Sequence, residues 1–399
     1  MVEAARDLVG LHATDPASVY LSALARVPRL DVPTMEEALY EERSLLKMLG
    51  MRRTMFVVPP DLAPVIQASC TRAIAVAERK RTIALLAGAG IAADPDRWLR
   101  DIEEATMRAL EARGEAVATE LTKDVPGLGT QIPFGEGKKW QGTLGISTRV
   151  LFLLSMEGRI VRARPRGSWI SSQYRWTPTS RWLTGGIPDM PVAEARVELV
   201  RRWLATFGPA TVADIKWWTG WTLGEVRKTL AAIEPVEVDL EGATGHVLAD
   251  DLAPSPAPEP WVALLPSLDS TVMGWAGRDW YLGAHRSALF DRNGNAGPTI
   301  WADGRVVGGW GQRPNAELAY RLFEDLGSET GTAIDREAER VTTFLEGVRV
   351  TPRFRTPLEQ ELGAADGVRS TTNDSFRGRS GAEPCVGRSR EAPNRPFWC

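Results

Sequence analysis

Apolar and polar positions along this chain follow two rhythms. Up to residue 252 they trace helices closed by short strand pairs. Beyond residue 260 they trace short strands separated by Gly/Asn turns. The chain opens directly inside a helix. Residues 8–26, LVGLHATDPASVYLSALAR, form an apolar run interrupted by His12, Thr14 and Asp15. Pro16 stops one helix there, and the next begins at Ala17 or Ser18. Behind Pro33, Thr34 and Glu37 have the spacing of a capping box and predict a helix to about Leu49. Leu39, Leu45, Leu46 and Leu49 form its core face, and Gly50 ends it. Residues 52–58, RRTMFVV, read as a strand closed by Pro59-Pro60, residues 61–86 as a long helix or helix pair, and residues 87–96 as a linker. This is the pattern of a small helix-turn-helix unit with a wing.

The pattern recurs twice. Residues 97–113 read as an amphipathic helix with Trp98, Ile102, Ala105 and Leu110 near one face. A short helix at 117–123, a Gly/Pro-rich loop at 126–142 and a helix at 143–157 follow. Strands at 159–163 and 169–176 then flank the turn 165–168. In the third unit, helix 192–207 breaks at Gly208-Pro209, and Thr211 caps ADIKWW with Asp214 at the third helical position. Thr222 and Glu225 form a second capping box, and a hairpin follows at 236–239 and 246–248.

Residues 253–260, APSPAPEP, read as a stiff linker. The strands expected beyond it are VALLP, YLGA, TIWADG and VVGGW, with Asp303-Gly304 as a hairpin turn. Residues 318–326 and 334–345 read as helices, and 347–350 as a strand. Residues 363–399 are rich in Arg, Ser and Gly without hydrophobic period and read as disordered. The fold class is therefore α+β, with tandem winged-helix units at 1–90, 91–190 and 191–252, the linker, and a β-rich domain at 261–362.

Composition narrows the function classes. A 399-residue chain with 43% hydrophobic and 25% charged residues is that of a globular protein with two to four domains. Three cysteines without a CxxC pair argue against a disulfide framework, and three scattered histidines against a zinc site. No apolar run reaches membrane length and no signal peptide is present, so the expected location is the cytoplasm, in association with the nucleoid. Fifteen tryptophans stand against five tyrosines, many beside Arg or Lys, as in Lys139-Trp140, Arg175-Trp176, Arg181-Trp182 and Lys216-Trp217. Amphipathic packing accounts for most of them; stacking on nucleic acid is the sharper alternative.

Charge is distributed unevenly. Between residues 138 and 181 nine basic residues, Lys138, Lys139, Arg149, Arg159, Arg162, Arg164, Arg166, Arg175 and Arg181, face the single acid Glu157, in a chain of net charge -3. Arg162, Arg164 and Arg166 fall at period two, on one face of a strand and its turn. Basic residues in the wing of a helix-turn-helix unit are expected at DNA phosphates.

Three winged-helix-like units, a trailing β domain, and GLHATDPASVYLSALAR at 10–26 resemble the winged-helix DNA glycosylases of the AlkZ/YcaQ-like family. Supporting stretches are GISTRVLFLLSMEGRIVRARPRGSW, ATVADIKWWTGW, and LPSLDSTVMGW followed by WADGRVVGGW; it is their order that persuades. The resemblance covers most of residues 1–362. It implies tandem winged helices around a DNA-sized concavity, excision of bulky alkylated purines and unhooking of interstrand crosslinks. The expected partner is damaged double-stranded DNA, with no cofactor, and the chain is expected to act as a monomer. The family's catalytic motif is Gln, an apolar residue, then Gln or Asp; this chain has His12, Ala13 and Thr14 there, with Asp15 one step on. Against the family pattern, the arm that precedes the motif is expected to be missing here.

Glycosidic cleavage passes through an oxocarbenium-like state and needs a positioned water. A purine alkylated at N7 is already cationic, so the tasks left are to orient water and stabilise positive charge at the sugar. His12 is expected to accept a proton near pH 7, Thr14 to orient the water, and Asp15 to hold the His12 tautomer or add negative charge. The competing reading has Thr14 or Asp15 capping the second helix and His12 as a hydrogen-bonded core residue. The chain is then a catalytically silent DNA-binding protein or transcriptional regulator. The absence of heptads for a dimer that reads paired half-sites favours the glycosylase.

Overall fold

The N-terminal run folds as helix, strand, helix: α1 (Val2–Asp7), β1 (Leu11–His12) and α2 (Pro16–Leu24). His12 thus lies in a strand and not at a helix end. Asp15 caps α2, its carboxylate accepting the Ala17 N–H at 3.2 Å. This computed structural model describes residues 1–134, 141–253 and 255–364. Lys138, Lys139 and residues 365–399 of the expected tail lie outside the described residues; the first two tail residues, Gly363 and Ala364, close a helix.

The helix expected between Thr34 and Leu49 is short and differently capped. α3 (Val32–Glu36) starts at Asp31, whose carboxylate accepts the Thr34 N–H at 2.8 Å, and a π-helical turn, Glu37–Glu41, follows. Leu46–Leu49 then form a strand, β2, with all four residues buried. A leucine-rich run covered on both faces suits a strand as well as a helix, and its partner decides. That partner is β3 (Met55–Val58), which pairs with β1 on its other edge in the order β1-β3-β2. Phe56 stands opposite both His12 and Met48. α4 (Ala63–Ile66) continues through a π turn into α5 (Arg72–Gly88).

The second group holds α6 (Pro95–Arg113), α7 (Ala118–Asp124) and α8 (Ile146–Met156), closed by the antiparallel strands β6 (Ile160–Pro165) and β7 (Tyr174–Pro178). Inside the expected loop, β4 (Gln131–Phe134) pairs with β5 (Gly142–Gly145). A one-turn α9 (Thr179–Trp182) leads to the third group, α10 (Val192–Phe207), α11 (Val212–Thr219) and α12 (Leu223–Ile233) with the hairpin of β8 (Val236–Leu240) and β9 (Ala243–Val247). Both capping boxes expected here are formed, Thr211 with Asp214 and Thr222 with Glu225.

The last segment is a four-stranded antiparallel sheet in the order β10-β11-β12-β13, of β10 (Val262–Leu265), β11 (Thr299–Ala302), β12 (Arg305–Gln312) and β13 (Leu318–Leu322). The expected strand YLGA is instead α13 (Asp279–Leu282) and its continuation, with α14 (Arg286–Leu289) following. The expected helix from Leu318 is β13, hydrogen-bonded along β12; residues 347–350 form no strand. α15 (Gly327–Leu345) and α16 (Pro357–Ala364) complete the described chain. One apolar cluster runs from Ala5 to Leu345 through all three groups and onto this sheet, and a second fills the other face of the sheet. Among the described residues no helix is long and apolar enough to cross a membrane.

Candidate active site

β1 enters its sheet through a bend that few residues tolerate. Gly10 has φ 111°, and a Cβ there would stand 3.0 Å from Val58 Cγ1 and 3.1 Å from Phe56 Cδ1. Glycine meets both conditions. The bend aims the Gly10 carbonyl and the His12 N–H at one hydroxyl. Ser270 Oγ donates to Gly10 O at 2.8 Å and accepts from His12 N at 3.2 Å.

The His12 side chain is buried, 3% exposed, with its ring edge-on to Phe56 at 5.2 Å. Its Nδ1 has no hydrogen-bond partner among the described residues. Burial, reinforced by the positive charge of Arg52 and opposed by Asp269, holds its pKa down at about 3. The imidazole is therefore neutral at pH 7, and proton acceptance near neutrality, expected from its ordinary pKa, gives way to a ring that stays uncharged through the neutral range. Thr14 is half-buried, and its hydroxyl accepts the Met55 N–H at 3.3 Å.

Asp15 does not face His12 through any hydrogen bond. One carboxylate oxygen caps α2 and the other accepts the Arg353 N–H at 3.0 Å, so the carboxylate ties α2 to the segment before α16. Burial pushes its pKa up, and the two N–H groups pull the other way. The cavity beside Asp15, Ser18 and Trp310 has a volume of about 10 Å³, the space of one water. Two larger open grooves, of about 510 and 570 Å³, lie along α11 and β9 and between α4 and α10; neither borders His12.

The wall opposite β1 and α2 comes from the loop after β10. Ser18 Oγ donates to Ser267 O at 2.6 Å, and Ser22 Oγ to Asp269 at 2.6 Å. Arg26 forks onto both Asp269 oxygens at 2.9 and 2.8 Å and reaches Thr271 Oγ1 at 2.8 Å. Burial would raise the Asp269 carboxyl; Arg26, Ser22 and the Thr271 N–H outweigh it and hold the pKa below the ordinary value. Residues 267–271 were not among the expected site residues. Their signal is the Ser-Leu-Asp-Ser-Thr run after an apolar strand, whose hydroxyls and carboxylate suit α2 only once the two are brought together across 247 positions of sequence.

The basic run resolves into separate uses. Arg149 is buried and paired with Glu78 at 3.2 Å, Arg159 pairs with Glu104 at 2.6 Å, and Arg164 bridges Glu36 and Glu41. Arg162 lies over Tyr174 and Trp176, at 5.2 and 5.3 Å from the ring centroids. Arg181 donates to Glu111 O. Arg166 and Arg175 are exposed. Neither has an ion pair or side-chain hydrogen bond among the described residues. Of the tryptophans beside basic residues, Trp182 is buried under Arg43, while Trp217 is half-buried and lies near two arginines. Among the described residues no group of His, Cys, Asp and Glu is arranged to hold a metal ion.

A protein-family model described as "DNA glycosylase AlkZ-like" matches residues 5–344. Among solved structures, the chain is similar to the DNA glycosylase AlkZ of Streptomyces sahachiroi, with 21% identity and a TM-score of 0.65 over 88% of this chain and 92% of that one. At that identity the likeness is one of fold. No curated protein matches the chain.

Proposed function

Because the chain belongs to the AlkZ-like DNA glycosylase family, we propose that it hydrolyses the N-glycosidic bond of bulky alkylated purines in double-stranded DNA, crosslinked purines among them. The observation that carries this reading is the position of His12 and Thr14. On the sequence resemblance they take the places of the family's two polar motif residues, and they stand on and just beyond β1. In the same reading the helix groups α6–α8 and α10–α12, with their hairpins, are winged helices, the exposed Arg166 and Arg175 meet phosphates, and the protein acts as a monomer.

The chemistry asks little of the side chains. An N7-alkylated purine departs with the bond pair on N9 and becomes neutral, water adds at C1′, and the surplus proton of that water passes to solvent. A neutral His12 accepts a hydrogen bond from the water and adds no positive charge beside the oxocarbenium-like sugar. The Thr14 hydroxyl supplies a second contact. Asp15 acts as a positioning residue, since it anchors α2 behind the motif.

The burial of His12 favours a second reading, in which damaged DNA is bound and no base is released. Single-turnover release of N7-alkylguanine from duplex DNA separates the two. Wild type is expected to release base, His12→Ala to bind with similar affinity and release it much more slowly, and Thr14→Ala to fall between. Binding without release by wild type refutes the glycosylase reading.

A further inference from the structure

The hairpin between β2 and β3 carries two arginines in succession with left-handed backbone, Arg52 at φ 52° and Arg53 at φ 62°. Non-glycine residues in that region cost stability, and two in a row persist only where the surroundings impose them. The surroundings here are the C-terminus of α11. Gly220, at φ 77°, caps that helix so closely that a Cβ on it would meet Arg52 Cγ at 3.3 Å.

The two arginines are treated differently. Arg53 pairs with Glu78 at 3.1 Å. Arg52 has neither an ion pair nor a hydrogen bond among the described residues, and its Nε is buried without a partner. Its guanidinium lies 3.8 Å from the Trp217 ring centroid, and the Arg278 guanidinium lies 4.5 Å from the same centroid and 4.9 Å from Phe290. Arg278 is 3% exposed and donates to Trp275 O, but it has no carboxylate partner either. Arg286 sits at the rim, 5.6 Å from the Phe290 ring, and Lys216 is exposed on α11 next to Trp217.

The acid facing the cluster is Asp214. It is saturated by the Ala276 and Gly277 N–H groups at 2.9 and 3.0 Å and by Thr211. Burial and the charge of Arg278 lower the Arg52 pKa to about 10, so both guanidiniums stay charged at neutral pH. Two like charges on one indole, with no carboxylate in ion-pair contact among the described residues and only the Asp214 charge acting on Arg278 from further off, are costly to hold. A stacked guanidinium keeps its in-plane N–H fork free for a tetrahedral dianion or phosphodiester. The site also has a fixed place relative to the motif. Arg52 lies three residues before Met55, whose N–H binds Thr14, and four before Phe56, which packs on His12.

We propose that Arg52 and Arg278, seated on Trp217, form a binding site for one DNA phosphodiester next to the nucleotide presented to His12 and Thr14. This rests on the DNA glycosylase reading and adds to it the contact that sets the register of the strand. A bound phosphate would offset the repulsion that the ring stacking and the Trp275 carbonyl leave uncompensated.

The test uses the full chain and a duplex carrying an N7-alkylguanine or a stable abasic analogue. Affinity is measured against salt for wild type, Arg52→Gln and Arg52→Lys, and wild type is also scanned with duplexes in which single phosphates are replaced by methylphosphonate. Arg52→Gln is expected to lose roughly tenfold in affinity, as for one charge-assisted bond. Its slope of log affinity against log salt should fall in magnitude by about 0.9, one phosphate contact. Arg52→Lys should keep the slope. One methylphosphonate flanking the lesion should weaken wild type and leave Arg52→Gln unchanged, and the melting temperature of Arg52→Gln reports whether it folds. If wild type binds DNA and no single flanking methylphosphonate matters, or if Arg52→Gln keeps both affinity and slope, the site is not a phosphate site. If wild type binds no duplex at all, the DNA reading falls and takes this inference with it.

Discussion

Replacing Arg26 by methionine should destabilise the protein in a way that depends on pH. The Asp269 side chain is fully buried, and the Arg26 side chain is 21% exposed. Asp269 holds four donors: two from Arg26, one from Ser22 and one from the Thr271 backbone. Arg26→Met removes two of them and the only cation within ion-pair distance among the described residues. Breaking a buried pair from one side costs about 3–5 kcal/mol, because a desolvated carboxylate is left behind. Arg26 keeps one edge in water, so the expected loss at pH 7 is near the lower figure, about 3 kcal/mol. In wild type the folded pKa of Asp269 lies below its ordinary value of 3.8. Its contribution is thus present at pH 5 and at pH 7, and is lost only as pH falls through the lower folded pKa. In the variant, burial acts unopposed and raises that pKa above the unfolded one, so the carboxylate form is penalised and the penalty shrinks as pH falls. Urea unfolding followed by tryptophan fluorescence at pH 7 and pH 5 measures both effects. A loss under about 1 kcal/mol, or one equal at the two pH values, would refute the view that this pair holds residues 267–271 against α2.

His12 gives a second pH signature: its folded pKa of about 3 lies below the ordinary 6.5, so its contribution to stability is full above 6.5 and lost as pH falls toward 3. The melting temperature of wild type should therefore fall more steeply below pH 6.5 than that of His12→Phe, and wild-type base release should be flat from pH 6 to 8; a rate inflection near 6.5 would contradict a neutral His12. In the hairpin of β6 and β7, the double variant Arg166→Ala/Arg175→Ala should lower the salt slope of DNA binding by about 0.9 per residue. Arg164→Ala, whose side chain is already tied to Glu36 and Glu41, should leave it unchanged. Equal slopes for the two proteins would mean that pairing with carboxylates of the first helix group does not decide which arginines meet phosphate.

Local order along the chain carried much of the architecture. The capping boxes at Thr211 and Thr222, the Asp303-Gly304 hairpin and the helix ending at Phe207 follow from side chains within a few residues of one another. Caps, turns and helical periodicity are local interactions, so the amino-acid order determines them without the rest of the fold. The family resemblance was legible for the same reason, from ordered stretches that the match over residues 5–344 then covered.

Long-range partners decided the rest. The leucines at 46 and 49 form a strand because β3 and the neighbouring core cover both faces, and 318–322 form a strand because β12 offers an open edge. His12 lies in a strand, uncharged, because Phe56, Arg52 and Ser270 close around it, the last from 258 positions away. A pKa depends on solvent exclusion and on charges gathered from distant segments, and neither has a local sequence signature. The division of the basic run has the same origin. Arg149 and Arg164 bind carboxylates from other helices while Arg166 and Arg175 face water, because the fold supplies acids at two of those places and solvent at the others.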